Sequence, residues 1–265
     1  MRGIDVSSHQ GKIDWNIVKT SGIEFAIIRA GYGNTIDKCF KENIKNAKSV
    51  GIKVGVYWFS YALDIVEAKV EADYCYNAVK DYKLDLPIFY DFEYDTERYA
   101  NEHNVTFKKD SRTAVIKAFC DKISEYGIHC GVYLNPDYIK YRVNYEELKA
   151  YPLWLASWYS DEQTNFSVSK SDVSIEYGKP FLWQFGIGYV VGIEGNVDLN
   201  YGYFEADIDN TPQEWSKEAI EWAVNNKILQ GDESGDYKLR EPCTTERFIT
   251  LLHRAIKNIK IDIGD

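Results

Sequence analysis

A chain of 265 residues, 45% of them apolar, is long enough for one large packed domain or for a large and a small one. Its formal net charge of −10 argues against nucleic acid as a partner, because phosphate binding draws on basic patches. No apolar run reaches the ~18 residues of a membrane-spanning helix, so no membrane insertion is expected, and Met1-Arg2-Gly3 leads into Ile4-Asp5-Val6 without an apolar leader segment.

Along the chain, short β-rich runs alternate with helical patterns. Strands are predicted over 3–6, 25–30, 53–59, 87–92, 130–134, 153–157 and 181–185, and helices over 40–50, 65–82 and 111–126. Gly22, Gly51 and Gly127 stand where helix C-caps are expected. An internal echo supports the alternation: Gly51-Ile52-Lys53-Val54-Gly55-Val56-Tyr57 resembles Gly127-Ile128-His129-Cys130-Gly131-Val132-Tyr133, each a helix end, a strand and a tyrosine. Such alternation predicts parallel strands joined by crossovers. Seven or eight strands without a glycine-rich phosphate turn after the first fit a closed barrel better than an open doubly wound sheet. After about Asp161 the helical pattern fades, so the last strands are expected to be joined by loops. The fold class expected is α/β, an irregular TIM-like barrel over 1–206, with a small all-α module over 207–265.

Chemistry is concentrated in Tyr90-Asp91-Phe92-Glu93, at the end of the apolar run Leu86-Pro87-Ile88-Phe89-Tyr90. Residues i and i+2 of a strand share a side, with Cα atoms about 6.6 Å apart, so Asp91 and Glu93 are expected on one surface. Two carboxyls there suit acid catalysis on an acetal, in which one protonates the leaving oxygen while charge at the sugar carbon is stabilised. That spacing fits retaining and inverting carboxyl pairs equally. The competing reading is a solvated acidic turn, which Tyr94-Asp95 extends. Asp5, Asp91, Glu93 and Asp198 all fall at or near the expected C-terminal strand ends, where barrels of this kind place their chemistry.

The ordered motifs go further. Gly3-Ile4-Asp5-Val6-Ser7, Gln10-Gly11, Ile13-Asp14-Trp15 and Phe25-Ala26-Ile27-Ile28-Arg29-Ala30 open the series. The set Asp37, Phe40, Asn43, Ala47 and Gly51 follows, then Gly55-Val56-Tyr57, Asp91-Phe92-Glu93, Gly131-Val132-Tyr133 and Leu153-Trp154-Leu155-Ala156. Leu182-Trp183-Gln184-Phe185 and Gly195-Asn196-Val197-Asp198-Leu199-Asn200 complete it. In this order, over roughly residues 1 to 203, the chain resembles glycoside hydrolase family 25, the Chalaropsis-type lysozymes. The resemblance implies hydrolysis of the β-1,4 bond between N-acetylmuramic acid and N-acetylglucosamine in peptidoglycan. It makes Glu93 the general acid and Asp91, Asp5 and Asp198 the rest of the acidic cluster. A carboxyl crowded by three others in a partly dry groove holds its proton to higher pH, as an acid working near neutrality requires, and the four titrate as a set.

Around the acids, Tyr57, Tyr61, Tyr133, Trp158 and Gln184 are candidates to line a sugar groove, with core packing the alternative. Asn135 is a further candidate, or else opens the Asn135-Pro136 turn. His9 reads as a surface or hydrogen-bonding residue, and Ser7 and Ser8 have no elbow glycines of a serine hydrolase. Cys39, Cys75, Cys120, Cys130 and Cys243 are odd in number and scattered, so reduced thiols are expected, and neither metal nor cofactor.

The tail changes character. Asp207-Ile208-Asp209-Asn210-Thr211-Pro212 reads as a linker, followed by a helical pattern through Trp215, Ala219, Ile220, Trp222, Ala223 and Val224, a polar turn, Pro242, and an amphipathic helix over 245–257. This resembles one copy of the S-layer-homology repeat, with Thr244-Thr245-Glu246-Arg247 in place of the usual Thr-Arg pair. Two helices make a marginal core, so the module is expected to bind the wall or to assemble copies of the chain into a homo-oligomer. The whole reads as a phage endolysin made in the bacterial cytoplasm without a signal peptide and acting on the cell wall after release. The alternatives are an autolysin of the same activity, a non-catalytic glycan-binding barrel, and a chitinase-like glycosidase, which the missing D-x-x-D-x-D-x-E run disfavours.

Overall fold

The computed structural model describes residues 1–158, 163–204, 216–231, 237, 239 and 243–258. The chain divides into two compact units, Met1–Phe204 and Glu205–Asp265.

Apolar alternation makes the first unit a barrel. Its strands are β1 (Arg2–Val6), β2 (Phe25–Tyr32), a two-residue β3 (Thr35–Ile36), β4 (Lys53–Phe59), β5 (Ile88–Asp91), β6 (Cys130–Leu134), β7 (Leu153–Ala156), β8 (Leu182–Tyr189) and β9 (Asn196–Gly202). The order is β1-β9-β8-β7-β6-β5-β4-β2-β3, and β1 also pairs with β2, which closes the ring. Neighbours from β1 through β2 and β4 to β8 are parallel. The closing strand β9 is antiparallel to both β8 and β1, a departure from the all-parallel expectation. Asp198 therefore lies near the start of its strand, not at a C-terminal end, and the reversed direction brings that start to the same mouth as the C-terminal ends of the parallel strands.

Side chains divide by the two-residue period. Phe25, Ile27, Phe89, Trp154 and Leu182, with Leu86, fill the inside. The alternate residues, among them Ala26, Ile28, Val54, Val56, Ile88, Val132, Leu155 and Phe185, join the layer under the helices. The large inner rings are possible because glycines face them. A Cβ on Gly3 would come within 2.2 Å of the Phe25 ring, and one on Gly131 within 2.5 Å of Phe89.

The helices are α1 (Trp15–Thr20), α2 (Phe40–Ser49), α3 (Ile65–Val79), α4 (Tyr94–Glu102), α5 (Lys109–Glu125) and α6 (Tyr145–Leu148). Asp64 starts α3 by accepting from the Val66 and Glu67 amides. In α5, Val115, Ile116, Phe119, Cys120 and Ile123 form the buried face. The β7–β8 connection holds only a short 3₁₀ turn, Lys170–Asp172, among its described residues, as the fading pattern suggested.

The second unit contains α7 (Lys217–Asn225) and α8 (Thr245–Asn258). Arg254 Nη1 reaches the Ile228 carbonyl at 3.5 Å and Asn258 Nδ2 the Asn226 carbonyl at 3.3 Å. Ile228 and Leu229 are buried, while Trp222, Phe248, Ile249, Leu252 and Ile256 are exposed. Trp215, Pro242 and the linker 207–212 lie outside the described residues. No helix among the described residues is long and apolar enough to cross a membrane.

Candidate active site

A groove of about 710 Å³ opens at the mouth of the barrel. Asp5 from β1, Arg29 from β2, Tyr57 and Phe59 from β4, Asp91 from β5, Tyr133 from β6, Trp154 from β7, Gln184 from β8 and Asp198 from β9 all line it, with Glu93 and Tyr61 from the loops. A larger depression of about 1180 Å³ lies around Tyr145, Tyr151 and Tyr177. Of its three acids, Glu146 is paired with Lys149 and Glu176 with Lys140, and Glu147 adds a single further carboxyl, so it holds no comparable cluster of unneutralised acids.

The four acids come together through register. Asp5 and Asp198 are direct partners across β1 and β9. Asp91 ends β5, opposite Phe59 and Tyr133. Glu93 follows in extended backbone, φ −139 and ψ −166, as the N-cap of α4. The acidic turn is thus the start of a helix whose buried residues are Thr96 and Ala100.

Their electrostatics differ. Burial, then the neighbouring Asp95 and Asp198 charges, push the Glu93 carboxyl up to about 7. Burial pushes Asp198 up to about 6. Asp5 and Asp91 both rise well above the usual carboxylate range, first through burial and then through Asp198 for Asp5 and Glu93 for Asp91. Arg29 opposes the rise at Asp91. The Arg29 Nε reaches Asp37 at 2.8 Å and its Nη2 reaches Ser8 Oγ at 3.2 Å, which fixes that cation at the groove wall. Asp91 Oδ1 is buried without a hydrogen-bond partner, a cost that folding alone does not explain.

Asp5 is held instead. Its Oδ2 accepts from Gln184 Nε2 at 3.1 Å and from Asn200 Nδ2 at 2.7 Å, and Trp154 Nε1 donates to Asn200 Oδ1 at 2.8 Å. Gln184 Oε1 in turn accepts from the Tyr133 hydroxyl and from Trp158 Nε1, both at 3.1 Å. Trp158, 44% exposed, reaches the groove through Gln184 and does not line it. Tyr57 and Tyr133, the two tyrosines of the internal echo, both line it and pack edge-on against Trp154.

Asn135 stands apart. Its Oδ1 accepts from the Tyr138 amide at 2.9 Å, which opens the π-helical turn Tyr138–Arg142, and it does not line the groove. His9 lines the rim beside Lys38. Arg29, Trp154 and Asn200 were absent from the sequence candidates. For Asn200 a signal existed: it stands two residues after Asp198, hence on the same face of β9.

The chain and its fold have counterparts. The Autolytic lysozyme of Clostridium acetobutylicum is 30% identical over 204 residues, 76% of this chain and 55% of its own length. The modular autolysin LytC from Streptococcus pneumoniae has a TM-score of 0.62 at 26% identity, over 75% of this chain and 46% of that one. A family 25 glycosyl hydrolase from Bacillus anthracis has a TM-score of 0.60 at 25% identity, over 78% and 90%. The chain spans about half the length of the first two. Residues 4–191 match the family model for Glycosyl hydrolases family 25; Asp5, Asp91 and Glu93 fall inside the match, and Asp198 lies beyond its end. Running from β1 to just past β8, with three of the four mouth acids inside it, that match makes the chain a member of Glycosyl hydrolases family 25.

Proposed function

We propose that the barrel is an N-acetylmuramidase, cleaving the β-1,4 bond between N-acetylmuramic acid and N-acetylglucosamine of peptidoglycan. The observation that carries this is Glu93, a carboxyl that keeps its proton to about pH 7, beside Asp91 in one groove. Glu93 gives that proton to the glycosidic oxygen as the bond to C1 of the muramic acid breaks, and the charge growing at C1 faces Asp91. Water then adds to C1 and returns a proton to Glu93. Arg29 favours the ionised form of Asp91, whose buried Oδ1 makes no hydrogen bond within the protein. Asp5, held by Gln184 and Asn200, and Asp198 complete the acidic wall. LytC has been solved in complex with a synthetic peptidoglycan ligand, which supports this choice of glycan. Mass spectrometry of fragments released from purified peptidoglycan is expected to find muramic acid at the reducing ends. Reducing-end glucosamine or free stem peptide would refute the assignment.

Synthesis in a reducing cytoplasm, with release to the wall as in an endolysin, is supported by the five cysteines, odd in number and scattered along the chain. For the second unit, the exposed Trp222, Phe248, Leu252 and Ile256 support self-association over 207–265. Light scattering is expected to give a larger species for the full chain than for residues 1–206; two monomers would remove that role.

A further inference from the structure

Behind the groove wall sits a buried carboxyl that the chemistry above does not use. Glu71 on α3 is 4% exposed, and burial pushes its carboxyl up to about 8. A buried carboxyl is costly, and an apolar side chain of similar size would fill the same space more cheaply. The partners of Glu71 show what that cost is spent on. Its Oε1 accepts from the Tyr61 amide at 2.7 Å, and its Oε2 accepts from the Tyr90 hydroxyl at 2.6 Å. Tyr90, on β5 directly before Asp91, lies 2.7 Å from Ser60 Oγ, and its ring is stacked on Phe119 with centroids 3.9 Å apart, so the hydroxyl has little freedom. The Ser60 carbonyl accepts from Thr96 Oγ1 at 2.9 Å, and Thr96 Oγ1 accepts from the Glu93 amide at 3.3 Å. The Ser60 amide donates to the Asp91 carbonyl at 2.9 Å.

Every member of this chain therefore ends on a segment that carries the groove. Tyr61 lines it, Asp91 and Glu93 are two of its acids, and Ser60, Tyr90 and Thr96 are fully buried behind them. Thr96 fixes the N-cap from which the Glu93 side chain projects, and Thr96 is fixed by Ser60.

We propose that Glu71, acting through Tyr90, Ser60 and Thr96, is a positioning residue that sets the Glu93 carboxyl and the Tyr61 ring in place for glycosidic cleavage. This rests on the assignment of Glu93 as the acid. A misplacement of the acid by a fraction of an ångström lowers turnover more than binding, because alignment with the glycosidic oxygen is needed only as the bond breaks.

The test compares Glu71→Leu, Tyr90→Phe and Thr96→Val with the unaltered protein and with Glu93→Gln, on a soluble glycan oligomer from peptidoglycan. Tyr90→Phe keeps the ring stacked on Phe119 and removes only the hydroxyl; Thr96→Val keeps the shape and cuts the link to Glu93. Each is expected to lower kcat by about tenfold, to leave KM within about twofold, and to move the alkaline limb of the pH profile. Should Glu71→Leu fail to fold, Tyr90→Phe and Thr96→Val decide. A lower melting temperature with unchanged kcat and unchanged limb overturns the proposal and leaves Glu71 a packing residue. If Glu93→Gln itself keeps normal turnover, the assignment of the acid fails and the proposal falls with it.

Discussion

Glu93→Gln is expected to lower turnover on the order of 10²- to 10⁴-fold while the fold stays intact. Glutamine keeps the size of the side chain, and the Glu93 backbone amide still bonds Thr96 Oγ1. What disappears is the proton held to about pH 7 by burial and by the Asp95 and Asp198 charges. In the unaltered protein, activity is expected to fall as pH rises through about 7, where Glu93 loses that proton, and to fall again in acid as the aspartates take protons up. Clearing of a wall suspension by purified Glu93→Gln at a near-normal rate would show that another group supplies the proton.

The same carboxyls should make the protein less stable as the solution becomes more basic. Glu93 rises from 4.5 to about 7, Glu71 from 4.5 to about 8 and Asp198 from 3.8 to about 6, and Asp5 and Asp91 move in the same direction. Between the unfolded and folded values, the native state holds more protons than the unfolded chain, so the free energy of unfolding declines with rising pH. That stability is fully present below about pH 4 for these groups and is lost progressively up to about pH 8. For Glu93 alone the loss is on the order of 3 kcal/mol at about 1.4 kcal/mol per pH unit. Since ~1 kcal/mol moves the midpoint of a domain this large by about 2 to 4 °C, the melting temperature is expected to be several degrees higher at pH 5 than at pH 8. Glu93→Gln should flatten that slope and melt higher than the unaltered protein at pH 8. A melting temperature constant or rising from pH 5 to pH 8 would contradict the burial of these groups. Stability and chemistry are thus opposed at the same atoms.

Much of this was legible from residue order. Most strands up to β8 announce themselves as apolar runs, with β2, β4 and β6 following helix-ending glycines, and Asp91 with Glu93 follow from the two-residue period. Other elements were not, α4 and β9 foremost, with the short β3 and α6 beside them. α4 buries only Thr96 and Ala100, so Tyr94–Glu102 presents no apolar stripe and reads as an acidic turn. β9 alternates polar and apolar residues, and its reversed direction comes from the short link after Tyr189, which leaves no room for the crossover a parallel neighbour needs. Asn135 was ambiguous for a physical reason: an asparagine before proline serves a turn as well as it serves a sugar, and the Tyr138 amide takes its oxygen. Arg29 and Glu71 gain meaning only from partners on other segments, Asp37 and Ser8 for the one and Tyr61 and Tyr90 for the other, which spacing does not reveal.

The pairing of Asp5 with Asp198 has a consequence for how the protein comes into being. β1 and β9 are the first and last strands among the described residues, and Asn200 grips Asp5 across 195 positions of sequence. Closing the barrel and assembling the acids are therefore one event, and a late one, because contacts so distant in sequence carry the largest loop-closure cost. Before β8 and β9 are made, Asp5 has neither Gln184 nor Asn200 to hold it. Until β9 is in place the acidic wall is incomplete: Asp91 and Glu93 are already made, but Asp5 lacks the strand that carries Asp198 and Asn200.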